Sequence, residues 1–215
     1  MSAPAGLSVA DGSTATSTPF RFYDNRQKYL AFITTCNEKS AIARRAAHEM
    51  TLLRPTPPAL RIFDAGMGDG TVITRVMRST HQLFPTVPLF VVAKEISLED
   101  VRLGLEKLPD RLFEHPATVF VVTNLNYAEA PRLMPRDPKG ATALNWQEVR
   151  LTGTTAHEYA EQIEDLAPAL ASGWQTTPNP KTGNPQVVRP SVLVLYREDH
   201  KFLLDAVIPK PGRIF

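Results

Sequence analysis

Three short apolar runs between residues 60 and 122 alternate with two stretches of helical spacing, and this alternation constrains the fold more than any other feature. Leu60–Phe63 reads as a strand ending at Asp64. Leu89–Ala93 reads as a second ending at Lys94-Glu95, and Thr118–Val122 as a third. Thr71–Leu83 reads as a helix with Ile73, Val76 and Met77 on one face. A helix begins at Ser97, an N-cap followed three residues later by Asp100, and turns Val101, Leu105 and Leu108 inward. Strands joined through helices imply a parallel sheet with helices packed on both faces, and runs such as FVVA and VFVV fit burial on both sides.

The rest of the chain is read around this unit. Residues 1–20 hold no Lys or Arg and read as a tail with too little apolar surface to fold. Neither the basic start and apolar stretch of a secretory signal nor the arginines of a mitochondrial leader are visible, so a cytoplasmic location is expected. Residues 21–55 form a helical preface, with Tyr29, Phe32 and Ile33 on one face, stopped by RPTPP at Arg54–Pro58. Residues 56–215 form the main domain. In its later part, Glu148–Leu151 is a candidate fourth strand and Ala156–Ala171 a helix with Tyr159, Ile163, Leu166 and Leu170 inward. Gly173–Pro190 is a long Pro/Asn/Gly loop, a candidate lid or partner surface, followed by Val192–Tyr196 and Phe202–Ile208 as a closing antiparallel hairpin.

Between the first strand and its helix lies Asp64-Ala65-Gly66-Met67-Gly68-Asp69-Gly70. Glycines at alternate positions let the backbone turn tightly and approach a ligand, and the helix behind them presents free amide protons. The spacing departs from the dinucleotide fingerprint, whose third glycine would fall at Thr71.

This segment resembles the first motif of the class I (Rossmann-like) S-adenosylmethionine-dependent methyltransferases, an acidic residue followed by x-G-x-G-x-G. The resemblance runs on in order. Glu95 ends the second strand where that family's acid holds the ribose hydroxyls, and Ile96 stands where an apolar residue packs on adenine. Asn124 ends the third strand where the family often has an Asp for the adenine amino group. Leu170–Gly173 matches the turn before the fifth strand, so about half the chain is covered.

The resemblance implies a doubly wound, mostly parallel α/β sheet of Rossmann-like methyltransferase type, with an N-terminal helical cap and an antiparallel C-terminal edge. Asp64, Gly66, Met67, Gly68, Gly70, Glu95, Ile96 and Asn124 would hold S-adenosyl-L-methionine. Methyl transfer to a small molecule is the leading expectation. Two alternatives stay open: a cyclase or aminocarboxypropyl transferase releasing methylthioadenosine, and a cofactor-binding module without turnover. An NAD(P)-dependent oxidoreductase is a distant fourth, weakened by Thr71.

Substrate contacts are expected from Tyr23, Arg26 and Tyr29, with Lys39, in the preface, equally readable as core anchors and solvated charges. Tyr127 is a further candidate in Asn124-Leu125-Asn126-Tyr127, a block close to the Asn-Leu-Pro-Tyr of adenine-N6 methylases with Asn126 in place of proline. Against a nucleic-acid substrate stands the charge, 24 Lys+Arg to 22 Asp+Glu for a net +2. No apolar run approaches the roughly 18–20 residues that span a bilayer, so no membrane partner is expected. The five histidines show no metal-ligand spacing, so no metal is expected and they read as surface or helix-end residues. The single cysteine, Cys36, is readable as a small apolar residue or a nucleophile. No catalytic base is visible, and the sequence leaves oligomeric state open.

Overall fold

A computed structural model describes residues 37–208. The chain divides into two units, Met1–Glu38 and Lys39–Phe215, and nearly all described residues belong to the second. Tyr23, Arg26, Tyr29 and Cys36 lie outside the described residues.

Helix α1 (Glu38–Met50) ends before the prolines, as their missing amide protons require. The alternating unit follows: β1 (Leu60–Asp64), α2 (Thr71–Leu83), β2 (Leu89–Lys94), α3 (Leu98–Leu105), α4 (Leu108–Glu114) and β3 (Thr118–Thr123). Ser97 caps α3, its hydroxyl accepting from the Asp100 N–H. The expected single helix through Leu108 is two, because Pro109 falls in the first turn of a new one.

After β3 come a 3₁₀ turn (Ala130–Arg132), α5 (Pro138–Ala143) and β4 (Asn145–Leu151), which starts three residues before the expected strand. The expected helix over 156–171 is likewise divided, into α6 (Ala156–Glu164) and α7 (Ala167–Gly173), with Pro168 in the first turn of the second. Thr155 and Glu158 form a reciprocal capping box at the start of α6. The loop expected over 173–190 contains a two-stranded antiparallel hairpin, β5 (Thr176–Pro178) with β6 (Pro185–Val187). β7 (Ser191–Arg197) and α8 (Lys201–Val207) complete the described chain.

The closing segment corrects the expected hairpin: residues 202–208 are not a strand. Leu203, Leu204 and Val207 share one helical face, and that face is buried. β7 has no late partner and inserts between β3 and β4, giving the order β1-β2-β3-β7-β4. It is antiparallel to β3 and parallel to β4, so three of four pairings are parallel, the one antiparallel pairing lies inside the sheet, and β7 and the edge strand β4 both run opposite to β1–β3. β1 is an outer strand, where the doubly wound arrangement would put it centrally.

Two cores cover the two faces. Val91, Phe120, Leu193 and Leu195 pack beneath α2, α3, α4, α6 and α7. Phe90, Val92, Val121 and Val194 pack beneath the 3₁₀ turn and α8. The crossover β4–α6–α7–β7 reverses both strand direction and the direction of travel across the sheet. A right-handed connection therefore returns its helices to the face already covered by α2, α3 and α4.

Candidate functional site

Connections leaving β2 and β3 part to opposite faces: α3 goes to the first, the 3₁₀ turn after Leu125 to the second. Such a parting opens a crevice at the carboxyl ends of adjacent strands, the place where open α/β sheets bind ligands. A cleft of about 530 Å³ lies there, with Lys94 at the end of β2 and Ile96 just after it, Asn124 and Tyr127 in the segment that follows β3, and Val187 and Pro190 from the hairpin side. The switch in direction thus falls between β2 and β3, one strand away from where a doubly wound sheet built on β1 would have it.

The expected cofactor residues fall into two neighbouring groups. Asp64, Gly66, Met67, Gly68, Gly70 and Glu95 make the first. Asp64 Oδ1 accepts from the Gly66 N–H at 3.1 Å. Burial pushes the Asp64 carboxyl up, the Gly66 bond opposes it, and the charge of Glu95 adds to the rise. Met67 is buried and its N–H donates to Lys94 O at 3.0 Å, tying the loop to the end of β2.

Glu95 completes that tie. Its Oε2 accepts from the Gly68 N–H at 2.9 Å, while Oε1 accepts from Ile96 N–H at 2.7 Å and Ser97 N–H at 2.9 Å. A carboxylate has about four acceptor positions. Three are filled, leaving one on Oε2. Trp174, also buried, donates its indole N–H to Glu95 O at 2.8 Å and holds the same residue from the end of α7.

The three glycines have different work. Gly68 has φ +53°, and a Cβ there or at Gly66 would meet nothing within 4 Å, so the outer side of the loop is bare backbone facing open space. Gly70 has φ +75° and packs against α3, where a Cβ would come 2.7 Å from the Cα of Gly104. Asp69, between them, was absent from the expected set. Its carboxylate accepts from the Thr71 N–H (3.1 Å) and hydroxyl (2.8 Å) and pairs with Lys39 (2.6 Å) and Lys107 (3.3 Å). Lys107 Nζ also donates to Asp69 O. Lys39, a candidate for the substrate, is thus engaged by the loop.

Ile96 and Asn124 form the second group and line the cleft together with Tyr127, a substrate candidate. Tyr127 is exposed, with Lys94 Nζ 4.7 Å from its ring centroid. Asn124 is buried, and both its amide protons are used inside the protein: Nδ2 donates to Gly173 O and to Arg189 O, each at 3.0 Å. Its Oδ1 accepts from the Ser191 N–H at 2.8 Å. The amide expected to face adenine therefore joins β3, β7 and the end of α7. No signal in the sequence pairs Asn124 with residues 49 to 67 positions away.

Glu129 and Asp137 are the carboxylates on the cleft wall, and both are engaged by their own turns. Glu129 accepts from Asn126 Nδ2 (2.6 Å) and the Arg136 N–H (2.8 Å), and Asp137 from the Gly140 N–H (2.7 Å). No group of three or more His, Cys, Asp or Glu among the described residues is arranged to hold a metal ion. No helix among them is long and apolar enough to cross a membrane. No family model, curated protein or solved structure matches the chain.

Proposed function

We propose that this chain binds S-adenosylmethionine on a Rossmann-like domain and transfers its methyl group to a small molecule. One observation carries the reading: the Gly68 N–H to Glu95 Oε2 bond of 2.9 Å, which joins the glycine loop after β1 to the acid at the end of β2. The two sequence features that the resemblance assigns to the cofactor are thus in contact across neighbouring parallel strands.

The residues present fit the cofactor's polar half. Bare backbone at Gly66 and Gly68 admits a ligand without a Cβ in the way, and the remaining acceptor position on Glu95 Oε2 suits a ribose hydroxyl. Ile96 offers the adjoining cleft an apolar wall for a flat base. Asn124 contributes at most the second lone pair of Oδ1, because its donors are engaged. When bound, the cofactor supplies an activated methyl on a sulfonium, so the protein's task is binding and alignment rather than activation. Glu129 and Asp137 on the cleft wall accept two bonds and one from their own turns and keep acceptor positions, so the wall admits a nucleophile that needs a general base as well as a carboxylate or neutral amine that does not.

Calorimetric titration with S-adenosylmethionine, followed by mass spectrometry of the adenosyl product, tests the proposal. Binding that is lost in Glu95→Ala, with S-adenosylhomocysteine formed when candidate acceptors are supplied, is the expected result. Slow release of methylthioadenosine would move the reading to cyclase or aminocarboxypropyl chemistry. No binding to the folded protein would overturn it.

A further inference from the structure

We infer that Asn124 is a positioning residue that latches the β5–β6 hairpin as one wall of the ligand cleft. The inference rests on the cofactor reading only for the identity of the ligand.

The hairpin contributes Gln186 and Val187 to the cleft, and Pro190 follows just behind it. Little else holds it. All three residues of β5 are exposed, as are the first two of β6, and the ladder is three residue pairs long. Its turn is closed by its own bonds, among them Asn179 N–H to Asn184 O at 2.8 Å and Lys181 N–H to Asn179 Oδ1 at 2.9 Å. A ribbon of this size is marginal by itself, so its position depends on its base.

Asn124 grips that base. Gly173 and Arg189 flank the hairpin, and one side chain donates to the carbonyl of each while accepting from Ser191 N–H beyond them. Ser191 Oγ adds a bond to Gly173 O at 2.9 Å, and Arg189 Nε one to Ala143 O at 3.0 Å. Only a primary amide can give two protons and take one from this position. An aspartate would set its charge against two carbonyl oxygens. The same side chain borders the cleft, so the wall's position and the ligand space share one residue.

The test uses the full chain carrying Asn124→Asp. Hydrogen exchange of residues 176–187 at pH 8 is expected to rise at least tenfold, with β1–β3 unchanged. Affinity for S-adenosylhomocysteine, by calorimetry at the same pH, is expected to fall at least tenfold. A second variant, with Thr177–Gln186 replaced by two glycines, leaves the sheet untouched and should weaken the same binding. Unchanged hairpin exchange in Asn124→Asp, or wild-type affinity in the shortened chain, would overturn the inference. Faster exchange in a protein that never binds S-adenosylhomocysteine would uphold the latch and remove the cofactor reading instead. If Asn124→Asp does not fold, the shortened chain decides.

Discussion

Gly70 and Gly104 meet backbone to backbone: a Cβ on Gly70 would stand 2.7 Å from the Cα of Gly104. This contact sets how closely α3 approaches the loop after β1. Gly70→Ala combines that collision with a positive φ, and a loss of about 2–4 kcal/mol is expected. Gly104→Ala meets the mobile end of Met67, so a smaller loss of about 1–2 kcal/mol is expected. Urea denaturation of both variants checks the order. A Gly104 variant less stable than the Gly70 variant would contradict it.

Glu95 gathers three backbone N–H groups from two loops. Glu95→Gln turns one acceptor atom into a donor facing them, at a cost of about 1–3 kcal/mol. A lower melting temperature together with lost S-adenosylhomocysteine binding is expected. An unchanged melting temperature would show that the two loops are held by other contacts.

At the loop tip, burial pushes the Asp69 carboxyl up. The Lys39 bond, the Thr71 hydroxyl and N–H and the nearby Lys107 together outweigh it, so the group sits well below its usual range. A depressed carboxylate stabilises the fold above its unfolded value of about 3.9 and loses that contribution as pH falls through the folded one. Asp69→Asn should cost about 1–2 kcal/mol at pH 7. Denaturation across a pH series should show the gap from wild type narrowing below about pH 4.

His81 and His115 stack with ring centroids 4.5 Å apart, at the ends of α2 and α4. Both are helix-end residues, as expected, but they are buried rather than at the surface. Burial, then the neighbouring His115, Arg111 and Arg78, push His81 down to about 3, and burial also lowers His115. Glu114 Oε2 lies 3.8 Å from His81 Nδ1. The unfolded chain, titrating near 6.5, takes up protons that the folded chain refuses, so stability falls as pH drops below about 6.5. The slope reaches at most about 1.4 kcal/mol per pH unit for each proton. Urea midpoints at pH 7.5 and pH 5 should differ, and His81→Phe should shrink the difference. Identical wild-type midpoints would refute this account.

The alternating unit was legible because strands buried on both faces are written as unbroken apolar runs, and its helix α3 carries a local cap at Ser97. The order of motifs likewise led to Gly68 and Glu95, which touch. Pairing partners were not legible. Nothing local to Val192–Tyr196 says that it will enter between β3 and β4, and the short apolar run in 202–208 fits a strand until Leu203, Leu204 and Val207 are seen on one buried face. The engagement of Asn124 was hidden for the same reason, since its partners lie far along the chain.

The place of β7 also governs the timing of assembly. During synthesis β1, β2 and β3 can pair as they emerge, but β4 finds no neighbour until Ser191–Arg197 has left the ribosome. Through that interval the nascent chain carries β3 as an open edge of fully buried-type residues, TVFVVT, the kind of edge that recruits other chains. A pause in translation that comes before Ser191–Arg197 has emerged should therefore favour aggregation, whereas one after its emergence should not.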